Sequence, residues 1–246
     1  MTLPEPEQWL WPEWHPHPRV RVVVTTRLGE HSPAPWRGFN LGAACGDDPA
    51  RVDRARQHVH RALGTAHPPV WLDQVHGTRV IRAGTGDRCA DGVWTGEPGW
   101  PCAVLTADCL PVLMARTDAS AVGAFHAGWR GLQDGILEAG VAQLAPRGEP
   151  LAAWLGPAIG QSAYQVGDEV REAFVRDDPG AEEAFHPDTP GHWRMSLVHL
   201  AHRRLSRAGV TEIAGGECCT AMDSHLFYSH RMEGRTGRFA SIIWLE

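Results

Sequence analysis

The stretch CAVLTADCLPVLMARTDASAVGAFH, residues 102–126, decides the fold class. Three short apolar runs lie within it: Cys102–Ala107, Val112–Arg116 and Ala121–Phe125. Each is bounded by polar or turn residues, so each reads as a buried β-strand. Thr117–Ser120 is the turn that folds the last two into a hairpin. That hairpin sets His126 opposite roughly Val112, with Cys109 three residues further, ~10 Å along an extended strand. Pro111 is expected to bend the chain and shorten the gap. Upstream, Val70–His76 (VWLDQVH) reads as another buried strand. His76, Cys109 and His126 therefore each close a strand-like run. Two imidazoles and a thiolate delivered this way are three ligands of a tetrahedral zinc, with the fourth position open as in catalytic rather than structural sites.

A plainer reading stands beside this one. The chain has 14 His, and buried Cys is common in apolar strands. The spacings of 33 and 17 residues match no short zinc motif such as CxxC or HExxH. The other His groups point away from metal. His15-Pro16-His17 lies in a Pro-rich opening, His58 and His60 are two apart on a predicted helix and face different sides, and His199 and His202 fit a solvated helix face.

Working outward, Val20–Thr26 is a strand signal, and Leu28–Gly46 is Gly- and Pro-rich loop. Asp48-Pro49 is an N-cap followed by Pro at the first helical position; that helix runs to Gly64, its C-terminal cap. Arg79–Ala83 reads as a strand, Gly84–Trp100 as loop, Gly131–Leu144 as a helix and Leu151–Leu155 as a strand. Helices follow over Asp168–Val175 and Ser196–Ala208, and Ile242–Leu245 closes the chain as a strand. Strands and helices mix without strict βαβ alternation. The prediction is a single-domain α/β sandwich around a mixed sheet, with residues 1–19 an irregular opening and 20–246 the domain.

Composition narrows the classes further. The chain has 246 residues and a net charge of −6, and no basic block stands out, which speaks against nucleic acid. All 23 basic residues are Arg, so Schiff-base chemistry on Lys is excluded. The N-terminus has neither the positive nor the apolar region of a signal peptide, and no apolar run is long enough to cross a membrane. Six Cys without a disulfide-framework spacing fit reduced thiols and a cytoplasmic location. There is no P-loop, and Gly84-Thr85-Gly86 lacks the rest of a dinucleotide fingerprint. The oligomeric state is not written in the sequence.

Three segments, Gln74-Val75-His76-Gly77, Thr106-Ala107-Asp108-Cys109-Leu110-Pro111 and His126-Ala127-Gly128-Trp129-Arg130-Gly131, resemble the signature segments of the YfiH-type family. Further matches follow in order: Phe39-Asn40-Leu41-Gly42, Gly46-Asp47-Asp48-Pro49, Ala90-Asp91-Gly92, Gly156-Pro157-Ala158-Ile159, Val166-Gly167, Cys219-Thr220, Phe227-Tyr228-Ser229-His230-Arg231 and Thr236-Gly237-Arg238. The resemblance spans about residues 20–246. The family has been labelled polyphenol oxidoreductase (laccase), peptidoglycan editing factor, and purine nucleoside phosphorylase with adenosine deaminase activity.

The resemblance implies a Zn²⁺ held by His76, Cys109 and His126, with purine nucleosides and phosphate as partners. It implies phosphorolysis of adenosine, inosine, guanosine and methylthioadenosine, and hydrolytic deamination of adenosine. Arg56, Arg231 and Arg238 are candidates for phosphate, because guanidinium offers paired donors to it; Asn40 and Gln74 are candidates for ribose or base. Deamination also needs a carboxylic acid to manage protons. Asp108 is nearest in sequence, but strand alternation turns it to the opposite face, which favours a structural role. The chain departs from the family where Ser229-His230-Arg231-Met232 replaces Ser-Tyr-Arg-Arg, Arg27-Leu28-Gly29-Glu30 replaces Arg-x-Gly-Gly, and Ala55-Arg56 replaces Asn-Arg. Three alternatives stay open: a copper-dependent polyphenol oxidoreductase, a cysteine hydrolase with Cys109 as nucleophile and His126 as base, and peptidoglycan precursor editing.

Overall fold

A computed structural model describes residues 3–246. Twelve strands are present among them: β1 (Val20–Val24), β2 (Val80–Arg82), β3 (Gly92–Thr95), β4 (Cys102–Thr106), β5 (Leu110–Arg116), β6 (Val122–Ala127), β7 (Leu151–Leu155), β8 (Gln165–Gly167), β9 (Phe185–Pro187), β10 (His192–Met195), β11 (Glu212–Gly215) and β12 (Phe239–Leu245). The helices are α1 (Pro49–Leu63), α2 (Trp129–Asp134), α3 (Ile136–Leu144), α4 (Asp168–Asp177), α5 (Leu197–Arg207) and α6 (His230–Glu233).

The centre is a six-stranded mixed sheet, in the order β11-β7-β5-β6-β3-β2, parallel only at its two ends. A second, antiparallel sheet, β1-β12-β4, covers one face. Helices α2 to α5 cover the other. Strand alternation makes these layers. Leu110, Val112 and Met114 of β5 face the helices, whereas Leu113 and Ala115 face the second sheet. In β12, Phe239, Ile243 and Leu245 point into the space between the sheets, while Ala240, Ile242 and Trp244 point outward beneath α1. The predicted α/β sandwich around a mixed sheet is therefore the fold.

Helix α1 forms as its sequence directs. The Asp48 side chain accepts from the Ala50 N–H at 2.8 Å, Pro49 opens the first turn, and Gly64 closes the helix at φ 63°. Elsewhere tertiary context overrides local pattern. Val70–His76 is not a strand: one bridge joins Val70 to Cys102, and the rest is extended loop. The Gln74 amide takes the place of main-chain pairing there, accepting from Leu105 N–H and donating to Leu105 C=O, both at 2.8 Å. Cys109 does not close a strand either. It lies in the three-residue turn that carries the chain from β4 in one sheet to β5 in the other. Pro111 does not bend the chain; it sits inside β5 opposite His126, just beyond the end of the β7 ladder, where no N–H is called for. The predicted helix 131–144 is two helices, broken at Gly135, whose φ of 103° a continuous helix cannot accept. The expected loop 84–100 contains β3. Of the irregular opening expected over 1–19, residues 1 and 2 lie outside the described residues; the rest has one 3₁₀ turn at Pro6–Gln8 and a bridge from Leu10 to Val24.

Phe125, which precedes His126, fills a space made by absent side chains. A Cβ on Gly140 would lie 2.5 Å from its ring, and one on Gly92 or Gly123 would lie 2.7 Å away. Gly140→Val is therefore expected to destabilise the fold by about 1–3 kcal/mol through overpacking, read as a lower urea midpoint. An unchanged midpoint would contradict this packing. Asp48→Ala should cost ~1 kcal/mol in the same assay through loss of the helix cap.

Candidate metal centre

His76, Cys109 and His126 converge although they come from a loop, a turn and a strand. Their donor atoms all lie within 4.8 Å of one another, and Cys109 Sγ is 3.8 Å from His76 Nε2. Tetrahedral zinc with ordinary bond lengths would set N and S donors about 3.6 Å apart, so the cluster matches that cation in size. Among the described residues this is the one group of three or more His, Cys, Asp or Glu donors gathered this way. His126 is buried, Cys109 half-buried and His76 exposed, so the group opens to solvent on one side. The backbone of Gly128 closes another side: a Cβ there would lie 2.8 Å from His76 Cδ2 and 3.1 Å from Cys109 Sγ.

A fourth residue holds the three in place. Asp91 is fully buried, and its carboxylate accepts four hydrogen bonds. They come from His76 N–H (2.9 Å), Gly77 N–H (2.7 Å), Val75 N–H (3.2 Å) and His126 Nδ1 (2.8 Å). Burial opposes its ionisation, but His126 and these amides outweigh burial and hold Asp91 below the usual carboxylate range. The Asp91–His126 bond places the proton on Nδ1 and leaves Nε2 as the atom available to a metal. His76 is fastened through its backbone, at φ 62°. Asp108, beside Cys109, has φ 97°. Strain of this kind survives only where surrounding bonds fix it, and both residues have such bonds. Asp108 Oδ1 accepts from the Thr220 hydroxyl and Oδ2 from the Arg231 N–H, each at 2.6 Å.

Without a cation, Cys109 and His126 form a mutually charged pair. Burial would raise the Cys109 thiol, yet the charge and hydrogen bonds of His126 and His76 bring it down to about 6. Burial likewise opposes protonation of His126, and the Cys109 thiolate and Asp91 reverse that, raising it. A ready thiolate is the form a metal requires.

The remaining candidates fall into two places. Arg231 lies at the metal group, hung from Asp108. Gln74 clamps the loop that carries His76 to β4, and Asn40, Arg56 and Arg238 belong to the outer layer around α1. Asn40 is buried and ties Gly42, Asp47 and the Arg238 N–H together. Arg56 stacks on Trp71 and donates to Leu41 C=O, while Arg238 donates to Thr236 and Gly237 carbonyls. Asp91 is visible in the sequence only within the family segment Ala90-Asp91-Gly92, because no spacing rule links an Asp to a His 35 residues on. A cleft of about 340 Å³ lies elsewhere, between α3, α4 and α5. Its charges are internally paired, Arg203 with Asp178 and Arg204 with Glu138.

The sequence model of the family described as multi-copper polyphenol oxidoreductase laccase matches residues 21–246. A purine nucleoside phosphorylase of Pseudomonas aeruginosa is 47% identical over 240 residues, covering 97% of this chain and 98% of that protein. The purine nucleoside phosphorylase YfiH of Escherichia coli K12 is 44% identical over 241 residues, 95% and 97% of the two chains. A crystal structure of a Neisseria meningitidis protein superposes with a TM-score of 0.92 at 40% identity, covering 97% and 99%.

Replacing Asp91 with Ala should weaken zinc affinity about 10–100-fold, as loss of a ligand's orienting partner does, measured by competition with a chromogenic chelator. Wild-type affinity in that variant would show that Asp91 does not orient the ligands. In metal-free protein, iodoacetamide should label Cys109 rapidly at pH 7 and more slowly as pH falls through about 6, where the thiolate is protonated. Added zinc should block the labelling.

Proposed function

This chain belongs to the family just described, and we propose that it is a zinc-dependent purine nucleoside phosphorylase that also deaminates adenosine. The observation that carries the reading is the convergence of His76, Cys109 and His126 with one face open, in a chain 44–47% identical along nearly its whole length to proteins named purine nucleoside phosphorylase. The substrates are adenosine, inosine, guanosine and methylthioadenosine with inorganic phosphate. The free state of all six cysteines and the lack of a membrane-length apolar helix among the described residues support a cytoplasmic enzyme.

In phosphorolysis, a phosphate oxygen bonds to ribose C1′ as the C1′–N9 bond breaks. The purine leaves with the electron pair and takes the phosphate's proton. In deamination, water adds at C6 of adenine and ammonia leaves. His76, Cys109 and His126 would hold the zinc, which would supply Lewis acidity to the substrate. The protein's own work is to keep Cys109 as thiolate, hold His126 as the Nδ1–H tautomer through Asp91, and exclude water on the Gly128 side.

The family description favours copper, but a multi-copper centre needs several donor groups, and the donors converge once among the described residues. The charged Cys109–His126 pair favours a second reading, a cysteine hydrolase.

Incubation with adenosine and phosphate, followed by chromatography, is expected to yield adenine and ribose 1-phosphate, with inosine as the second product. Neither product at high enzyme concentration would sink the proposal. Chelation should abolish both activities, and zinc should restore them; activity that survives complete metal removal points to the cysteine hydrolase. Copper near stoichiometry, with zinc absent, in protein purified without added metal would favour the oxidase.

A further inference from the structure

The chain that leaves the metal group carries basic side chains with no acidic partner. Gly128 packs against His76 and Cys109, and Arg130 follows two residues later, exposed, its guanidinium 4.6 Å from the Trp129 ring. From the other side comes Arg231. Its N–H is held by Asp108, next to Cys109, and its guanidinium lies 5.2 Å from the Tyr164 ring centroid, with Nη1 donating to Gln165 C=O at 3.0 Å. Neither guanidinium pairs with a carboxylate among the described residues. The acid closest in the chain to the ligands, Asp108, is spent on the Thr220 hydroxyl and the Arg231 N–H.

Tyr164, half-buried, carries the Arg231 guanidinium over its ring. Burial pushes its phenol above the usual range, with the Cys109 and Asp108 charges adding to the rise and Arg231 and Arg130 opposing it. It therefore stays an O–H donor across the physiological range. Two guanidinia without a carboxylate partner and one phenol O–H offer donors that suit the oxygens of a tetrahedral dianion.

We infer that Arg130, Arg231 and Tyr164 form the oxyanion subsite that seats inorganic phosphate beside the metal group. This deepens the phosphorolysis reading and rests on it. Arg130 and Tyr164 were not legible as binding residues in the sequence. The other two arginine candidates belong to the layer around α1, where Arg56 Nε donates to Leu41 C=O and Arg238 Nη1 donates to the Thr236 and Gly237 carbonyls. In this arrangement the subsite holds the non-attacking phosphate oxygens while the fourth faces ribose C1′. The bonds formed and broken are those of phosphorolysis, and no further reactant is needed.

The test uses zinc-loaded full-length protein and inorganic phosphate. Arg130→Gln and Arg231→Gln should each raise the phosphate KM about 10–100-fold, the worth of one charge-assisted contact, with nucleoside KM and zinc content unchanged. Arg231→Lys should recover part of the loss, and Tyr164→Phe should show a smaller rise. Calorimetric titration of phosphate without nucleoside gives a readout independent of turnover and should weaken in parallel. If the wild type makes ribose 1-phosphate while phosphate KM is unmoved in both Gln variants, the subsite is wrong and the functional reading stands. A rise in Arg56→Gln or Arg238→Gln instead would also overturn it. If the wild type neither binds phosphate nor makes ribose 1-phosphate, the phosphorolysis reading fails and the subsite with it.

Discussion

The carboxylate of Asp91 ties the candidate centre together. It is buried, ionised and shared between the backbone of the His76 loop and the ring of His126. A buried charge is tolerated only when it is paired and its lone pairs are filled, and this one is filled by four donors. Because those donors come from different segments, satisfying the charge brings the segments together. His76 is exposed and at a positive φ, so little else would hold it against Cys109.

The fold supplies the setting for that carboxylate. Residues 90–92 lead into β3, which pairs with β6, and the Asp91 carbonyl takes the His126 N–H at 2.7 Å. One residue is thus locked to His126 by main chain and side chain alike. The turn bearing Cys109 passes from one sheet to the other at the same end of the sandwich, and Asp108 within it fastens the Thr220 and Arg231 segments alongside. Asp91 and Asp108 do parallel work: each buried carboxylate fills its oxygens with hydrogen bonds from distant chain.

Scaffold and candidate site are separated in the architecture. The arginine and asparagine cluster around α1 uses its polar groups on carbonyls and on Asp47, which stabilises the outer layer. The Arg231 guanidinium, exposed and without a carboxylate partner among the described residues, lies on the metal side. This division has a simple cause: a guanidinium under a packed layer must satisfy its N–H groups internally, whereas one at a rim can leave them for a ligand.

The layer architecture was legible where the pattern was strong. The 102–126 stretch showed its strands and turn because alternation and turn chemistry are local, and α1 showed both ends because Asp48, Pro49 and Gly64 cap it locally. The three candidate metal donors were legible as residue types and, through family segments, as a set. What tertiary structure alone decided was how they meet. Gln74 replaces a strand with a side-chain clamp, Cys109 rides a turn between sheets, and Asp91 reaches across 35 residues to orient His126. Those arrangements depend on burial and on filling distant hydrogen-bonding groups. Such demands exist only once the chain is folded, so no local pattern encodes them.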